Sequence, residues 1–81
     1  MERGNVNIST RLQANHLADL EAGNRIDRAV LALERTAAFY ADELFDPAGL
    51  MLDEAADAWR RAERSDRADF VAALARELRS R

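Results

Sequence analysis

Cysteine and lysine are both absent from the 81-residue sequence. Without cysteine there is no disulfide, no thiol nucleophile and no thiolate metal site. Without lysine, all 12 basic side chains are arginine; together with 17 alanines, this usage points to a GC-rich bacterial or phage genome. Long apolar runs are missing too. None approaches the ~20 residues needed to cross a bilayer, so no membrane partner is expected. The opening Met1-Glu2-Arg3-Gly4-Asn5 holds no apolar stretch of the signal-peptide kind, and a cytoplasmic protein is the default expectation. Large apolar residues are scarce: apart from the 17 alanines, the apolar set is 22 residues, ten of them leucine. Alanine lets helices approach closely but contributes little transfer energy. A chain of this length buries only about 60% of its unfolded surface, so a small core and stabilisation by a partner or a second copy are expected.

Glycine and proline are few enough to act as punctuation: Gly4, Gly23, Pro47 and Gly49. They divide the chain into helical stretches, and nothing alternates with the period of a strand. The pattern predicts an all-α protein, a compact bundle of three to four short helices over about 10–22, 25–45, 47–64 and 66–80. Residues 1–9 are expected to form a flexible N-terminal segment ahead of a single helical domain, 10–81. Thr10 and Gln13 have the spacing of a capping box, and Gly23 suits the left-handed position after a helix end. Asn24 is a good N-cap for the second helix, Asp46 followed by Pro47 for the third, and Ser65 for the fourth. In the second helix, Ile26, Val30, Leu33, Ala37, Tyr40 and Leu44 alternate steps of four and three, a coiled-coil-like seam with Leu33 at its centre.

Chemistry-bearing residues are sparse. His16, the single histidine, lies on the apolar face of the first helix. It reads as a partly buried histidine bonded to a neighbouring group rather than as a general base. Ser9, Ser65 and Ser80 sit at helix ends and form no arrangement resembling a nucleophile with that base. Six acids flank one turn: Asp42, Glu43 and Asp46, then Asp53, Glu54 and Asp57. They lack the spacing of an EF-hand, and no Glu-x-x-His pair exists for a di-iron bundle. The second trio complements the positive end of a helix dipole. No cofactor, no metal and no catalytic residue are expected.

Binding is the remaining class. Arg60, Arg64 and Arg67 open a basic run that could contact phosphates. The third helix, however, places Asp53, Glu54 and Asp57 ahead of Arg60, Arg61 and Arg64, and the fourth places Asp66 and Asp69 ahead of Arg76 and Arg79, as dipole compensation requires. The net charge of −3 also argues against generic affinity for nucleic acid. On the second helix, Leu31, Arg35 and Phe39 lie away from the seam, with Phe39 almost opposite it at 100° per residue; Phe45 also lies off the seam. This side is either core, covered by neighbouring helices, or an interface. The sequence therefore predicts a non-catalytic helical interaction module: an accessory or regulatory subunit, an inhibitor or antitoxin-like factor, or a phage-encoded modulator. It would bind another protein or a second copy through Leu31, Phe39, Arg35 and Phe45, with an Arg/Asp/Glu rim. The alternative is a small dimeric DNA-binding regulator using Arg60, Arg64 and Arg67.

Overall fold

Four helices make up the protein: α1 (Ile8–Glu21), α2 (Arg28–Tyr40), α3 (Phe45–Arg61) and α4 (Ser65–Arg79). This computed structural model describes residues 8–41 and 44–80; Asp42, Glu43 and the Phe45 side chain lie outside the described residues. No strand occurs among the described residues, and no helix is long and apolar enough to cross a membrane. The architecture is the expected all-α bundle. Its radius of gyration is 12.0 Å.

The helix ends follow from local chemistry that differs in part from the expected punctuation. α1 begins at Ile8, two residues before the capping box, so Thr10 stands inside the helix. Buried Ile8 belongs to the core; the expected flexible segment 1–9 thus overlaps the helix at Ile8 and Ser9. The C-terminus of α1 closes as a Schellman motif: Gly23, at φ 74°, donates to the Leu20 carbonyl and Asn24 donates to the Asp19 carbonyl. That engagement removes Asn24 as a cap. Asp27 caps α2 instead, accepting from the Ala29 and Val30 amides at 3.0 and 3.4 Å. α3 begins at Phe45, one residue before the expected cap Asp46, and Pro47 falls in its first turn, where backbone N–H groups have no intrahelical acceptor. α3 ends in a second Schellman motif, with Glu63 at φ 63° in the position glycine usually takes. Arg64 donates its amide to the Trp59 carbonyl there at 2.8 Å, and Ser65 becomes the first helical residue rather than the cap.

α3 and α4 form a close antiparallel hairpin. Ala48, Leu52, Ala55 and Trp59 of α3 pack with Ala68, Val71, Leu74, Ala75 and Leu78 of α4, all buried. Small residues permit the approach: a Cβ on Gly49 would come within 3.1 Å of Arg79 Cγ. α2 packs against α3, and α1 packs against α2 and reaches α4 through the Arg11–Glu77 and Asp19–Arg67 pairs.

The six-residue seam of α2 is buried only in part: Val30 and Ala37 belong to the core, and Ile26 and Leu33 pack against it. Ile26 precedes the helix and Leu44 follows it, while Tyr40 is exposed and Leu33 is only partly buried. The buried arc is Val30, Leu31, Glu34 and Ala37, continued by Ala41. It is turned toward a charged residue because neighbours press on α2 from both α1 and α3.

This placement separates core from surface leucines. Leu52→Ala is expected to cost about 2–5 kcal/mol, and Leu33→Ala clearly less. Leu50, 61% exposed, should tolerate alanine within about 0.5 kcal/mol. Denaturant unfolding followed by Trp59 fluorescence ranks the three; equal costs for Leu33 and Leu52 would restore the heptad seam.

Candidate interaction site

Three charged residues are buried where the helices meet: Asp19 of α1, Glu34 of α2 and Arg67 of α4. The Arg67 side chain is 0% exposed. Its guanidinium grips Glu34 side-on, Nη2 donating to Oε1 at 2.7 Å and Nε to Oε2 at 3.3 Å. Trp59 Nε1 donates to the same Oε2 at 2.6 Å, and Arg67 lies over the Trp59 ring at 5.0 Å from its centroid. Arg67 Nη1 donates to Asp19 Oδ2 at 2.9 Å and to Asn15 Oδ1. Arg64 reaches Asp19 Oδ1 at 2.7 Å, the Arg25 carbonyl at 2.8 Å and Asp66 at 3.2 Å. Four helices thus converge on one hydrogen-bonded cluster, which is the condition for retaining charge in a core.

Opposing influences act on the carboxyls. Burial pushes Asp19 up, but hydrogen bonds from Asn24 and Arg64 and the charges of Arg64 and Arg67 outweigh it and hold the group below 3.8. Asp66 is also lowered, chiefly by its hydrogen bond from Arg64, and Arg64 is correspondingly raised, first by that same bond.

These contacts account for the basic run. Arg67 is internal, Arg64 is largely covered by its two carboxylates, and Arg60 pairs with Asp69 at 3.3 Å. The DNA-binding alternative requires Arg60, Arg64 and Arg67 to stand unpaired, and each instead meets an acid of its own chain.

Above the cluster, α1 and α2 diverge to leave a groove of about 410 Å³. Leu12, His16 and Leu17 line one wall; Leu31, Arg35 and Phe39 line the other, with Glu34 at the base. The structure therefore gathers three of the four sequence-selected residues, Leu31, Arg35 and Phe39, in one place. Their environments differ. Leu31 is 8% exposed and serves the core as much as the groove, whereas Phe39 is 79% exposed at its mouth. Phe39 stands edge-on to Tyr40, with ring centroids 5.1 Å apart. Leu17 at 58% and Leu20 at 53% continue the uncovered apolar surface along α1.

His16 departs from expectation. Its Nδ1 is buried yet finds no hydrogen-bond partner among the described residues, although a buried polar nitrogen without one typically costs about 1–3 kcal/mol. Among the described residues no three of His, Cys, Asp and Glu gather closely enough to hold a metal ion; Asp42 and Glu43 of the acidic group lie outside them. Comparison of the chain with protein family models, with curated proteins and with solved structures finds no match.

Two outcomes follow from the cluster. Glu34→Gln leaves the buried Arg67 charge poorly compensated and should cost about 3–5 kcal/mol, whereas Glu34→Met with Arg67→Met should cost less than either single change; a double-mutant cycle in denaturant measures both. The pH dependence has a definite sign. Because the folded-state values of Asp19 and Asp66 are depressed, their stabilisation is complete above pH 3.8 and lost as pH falls through the lower folded values. Asp19→Asn should lower the melting temperature at pH 7 and flatten the decline below pH 4. An unchanged acid limb would remove Asp19 from the ionised cluster.

Proposed function

We propose that this chain is a non-catalytic protein-interaction module that docks a partner in the α1–α2 groove. The observation that carries the reading is Phe39. A chain with only 22 apolar residues larger than alanine leaves this aromatic 79% exposed beside a groove lined by Leu12, Leu31 and Ala38. Aromatic anchors framed by a polar rim are the usual energetic centre of an interface. Leu17 and Leu20 extend the apolar surface, and Arg35, Gln13 and Ser9 supply the rim. The biological roles that fit are those of an accessory or regulatory subunit, an inhibitor or antitoxin-like factor, or a phage-encoded modulator in a cytoplasmic setting. The DNA-binding alternative loses its main support once Arg60, Arg64 and Arg67 are engaged by carboxylates.

Phe39→Ala tests the reading because exposure separates folding from binding. The variant should keep wild-type stability within about 0.5 kcal/mol and lose ~2 kcal/mol or more of affinity for the partner. Parallel capture from native-host extract with wild type, Phe39→Ala and a Glu54→Gln control, quantified by mass spectrometry, identifies the candidate; calorimetry with the purified protein gives the affinities. A variant that unfolds, or a partner held equally by all three baits, would remove Phe39 from the interface.

A further inference from the structure

We propose that the groove takes one amphipathic helix of a different protein, carrying a carboxylate one turn from a large apolar anchor, so that the carboxylate meets Arg35 while the anchor packs beside Phe39. The inference rests on the docking reading above and adds the chemistry of the partner.

The dimensions select a helix. The α1 wall runs from Ser9 to Leu17, about 12 Å at 1.5 Å per residue. That length matches two turns of a docked helix, and the volume of about 410 Å³ takes a few side chains rather than a folded domain. Anchors at helical spacing, laid into a groove between two helices, are an established recognition mode.

The electrostatics select an acidic one. Two charged residues line the groove, Glu34 and Arg35. Glu34 is already held by Arg67 and Trp59. Arg35 is exposed and has no carboxylate partner among the described residues, and the same holds for Arg28, two turns away on the same side of α2. Among the described residues the uncompensated charge of this face is therefore positive, on a chain whose net charge is −3. Such a local reversal attracts a carboxylate and rejects a basic helix. Arg35 and Phe39 are four residues apart, one helical turn, which sets the spacing between the partner's acid and its anchor.

A second copy of this chain fits less well. The exposed stripe of α3, Asp46, Leu50, Glu54 and Asp57, is acidic enough but offers a single apolar residue to a groove two turns long. Two copies also carry like net charge.

The test is selection of helix-forming 20-residue peptides from a display library on the immobilised full chain, run in parallel on wild type, Arg35→Glu, Arg35→Gln and Phe39→Ala, with each bait checked by circular dichroism. Wild type should enrich peptides with Asp or Glu three or four positions from a Leu, Phe or Trp. Fluorescence anisotropy should show the best of these bound at least tenfold more weakly by Arg35→Glu, and to a lesser degree more weakly by Arg35→Gln. Arg35→Glu should itself enrich Lys or Arg at the corresponding position. Peptides that need Phe39 but ignore the charge at position 35 would overturn the acidic-partner inference and leave the docking reading standing. Failure to find any binder sensitive to Phe39→Ala would overturn both. Sedimentation velocity of the chain alone supplies the last arm: concentration-dependent association abolished by Phe39→Ala would make the occupant a second copy and sink the inference.

Discussion

The side-on pair between Arg67 and Glu34 is the contact on which the arrangement of the helices depends. Arg67 is fully buried and its two arms point to different helices, one to Glu34 of α2 and the other to Asp19 and Asn15 of α1. An apolar residue at position 67 would pack against any nearby apolar neighbour. A planar guanidinium demands acceptors at particular angles, so it specifies which face of α2 turns inward and where α1 sits along it. Such an ion group adds little net stability, since burying the charges is itself costly, but removing one partner leaves the other charge buried and uncompensated. Trp59 completes the group by lying under the guanidinium and donating to the same carboxylate.

Much of the remaining fold is alanine packing, and it has the opposite character. The α3–α4 hairpin is lined by Ala48, Ala55, Ala56, Ala68 and Ala75, with Leu52, Leu74 and Leu78 between them. Small side chains allow close approach but discriminate weakly between registers, because one alanine looks much like the next. The polar cluster supplies the discrimination that the alanine surfaces lack. Low specificity along one interface and high specificity at one point suit a chain with few large apolar residues.

Helix number and the turn at Gly23 were legible in the sequence because they rest on local signals: glycine at a left-handed position, proline near a helix start, apolar spacing. The position of Phe39 opposite the apolar seam was legible for the same reason, but helical spacing alone left open whether neighbouring helices cover it. The buried charges were not legible. Apolar periodicity is blind to Glu34 and follows Leu33 and Tyr40, which flank the buried arc: Leu33 packs against the core and Tyr40 is exposed. The available signal was the placement of Glu34 between Val30 and Ala37, and of Arg67 in register with Val71 and Leu74. Reading it required matching opposite charges 33 residues apart, which no single helix reveals. The caps show a similar competition. Asn24 and Asp27 are both good N-caps, and Asp27 prevails because Asn24 is drawn back to Asp19 through its amide and its side chain. Ser65 loses its role because Glu63 adopts the left-handed turn and Arg64 becomes the flanking residue.

The seating of α1 has a dynamic consequence. Its buried apolar residues are Ile8 and Leu12 alone; beyond them it is moored by ion pairs, Asp19 to Arg64 and Arg67, and Arg11 to Glu77. A helix held this way is the natural first unit to open, with amides exchanging ahead of those in the α3–α4 hairpin. Its departure would strip Arg67 and Arg64 of the Asp19 counter-charge, so reclosure is driven by electrostatics as well as by apolar contact. The outer mooring is screened by salt while the inner one is sheltered from it. One wall of the groove thus has an outer attachment that salt weakens and an inner one that burial protects.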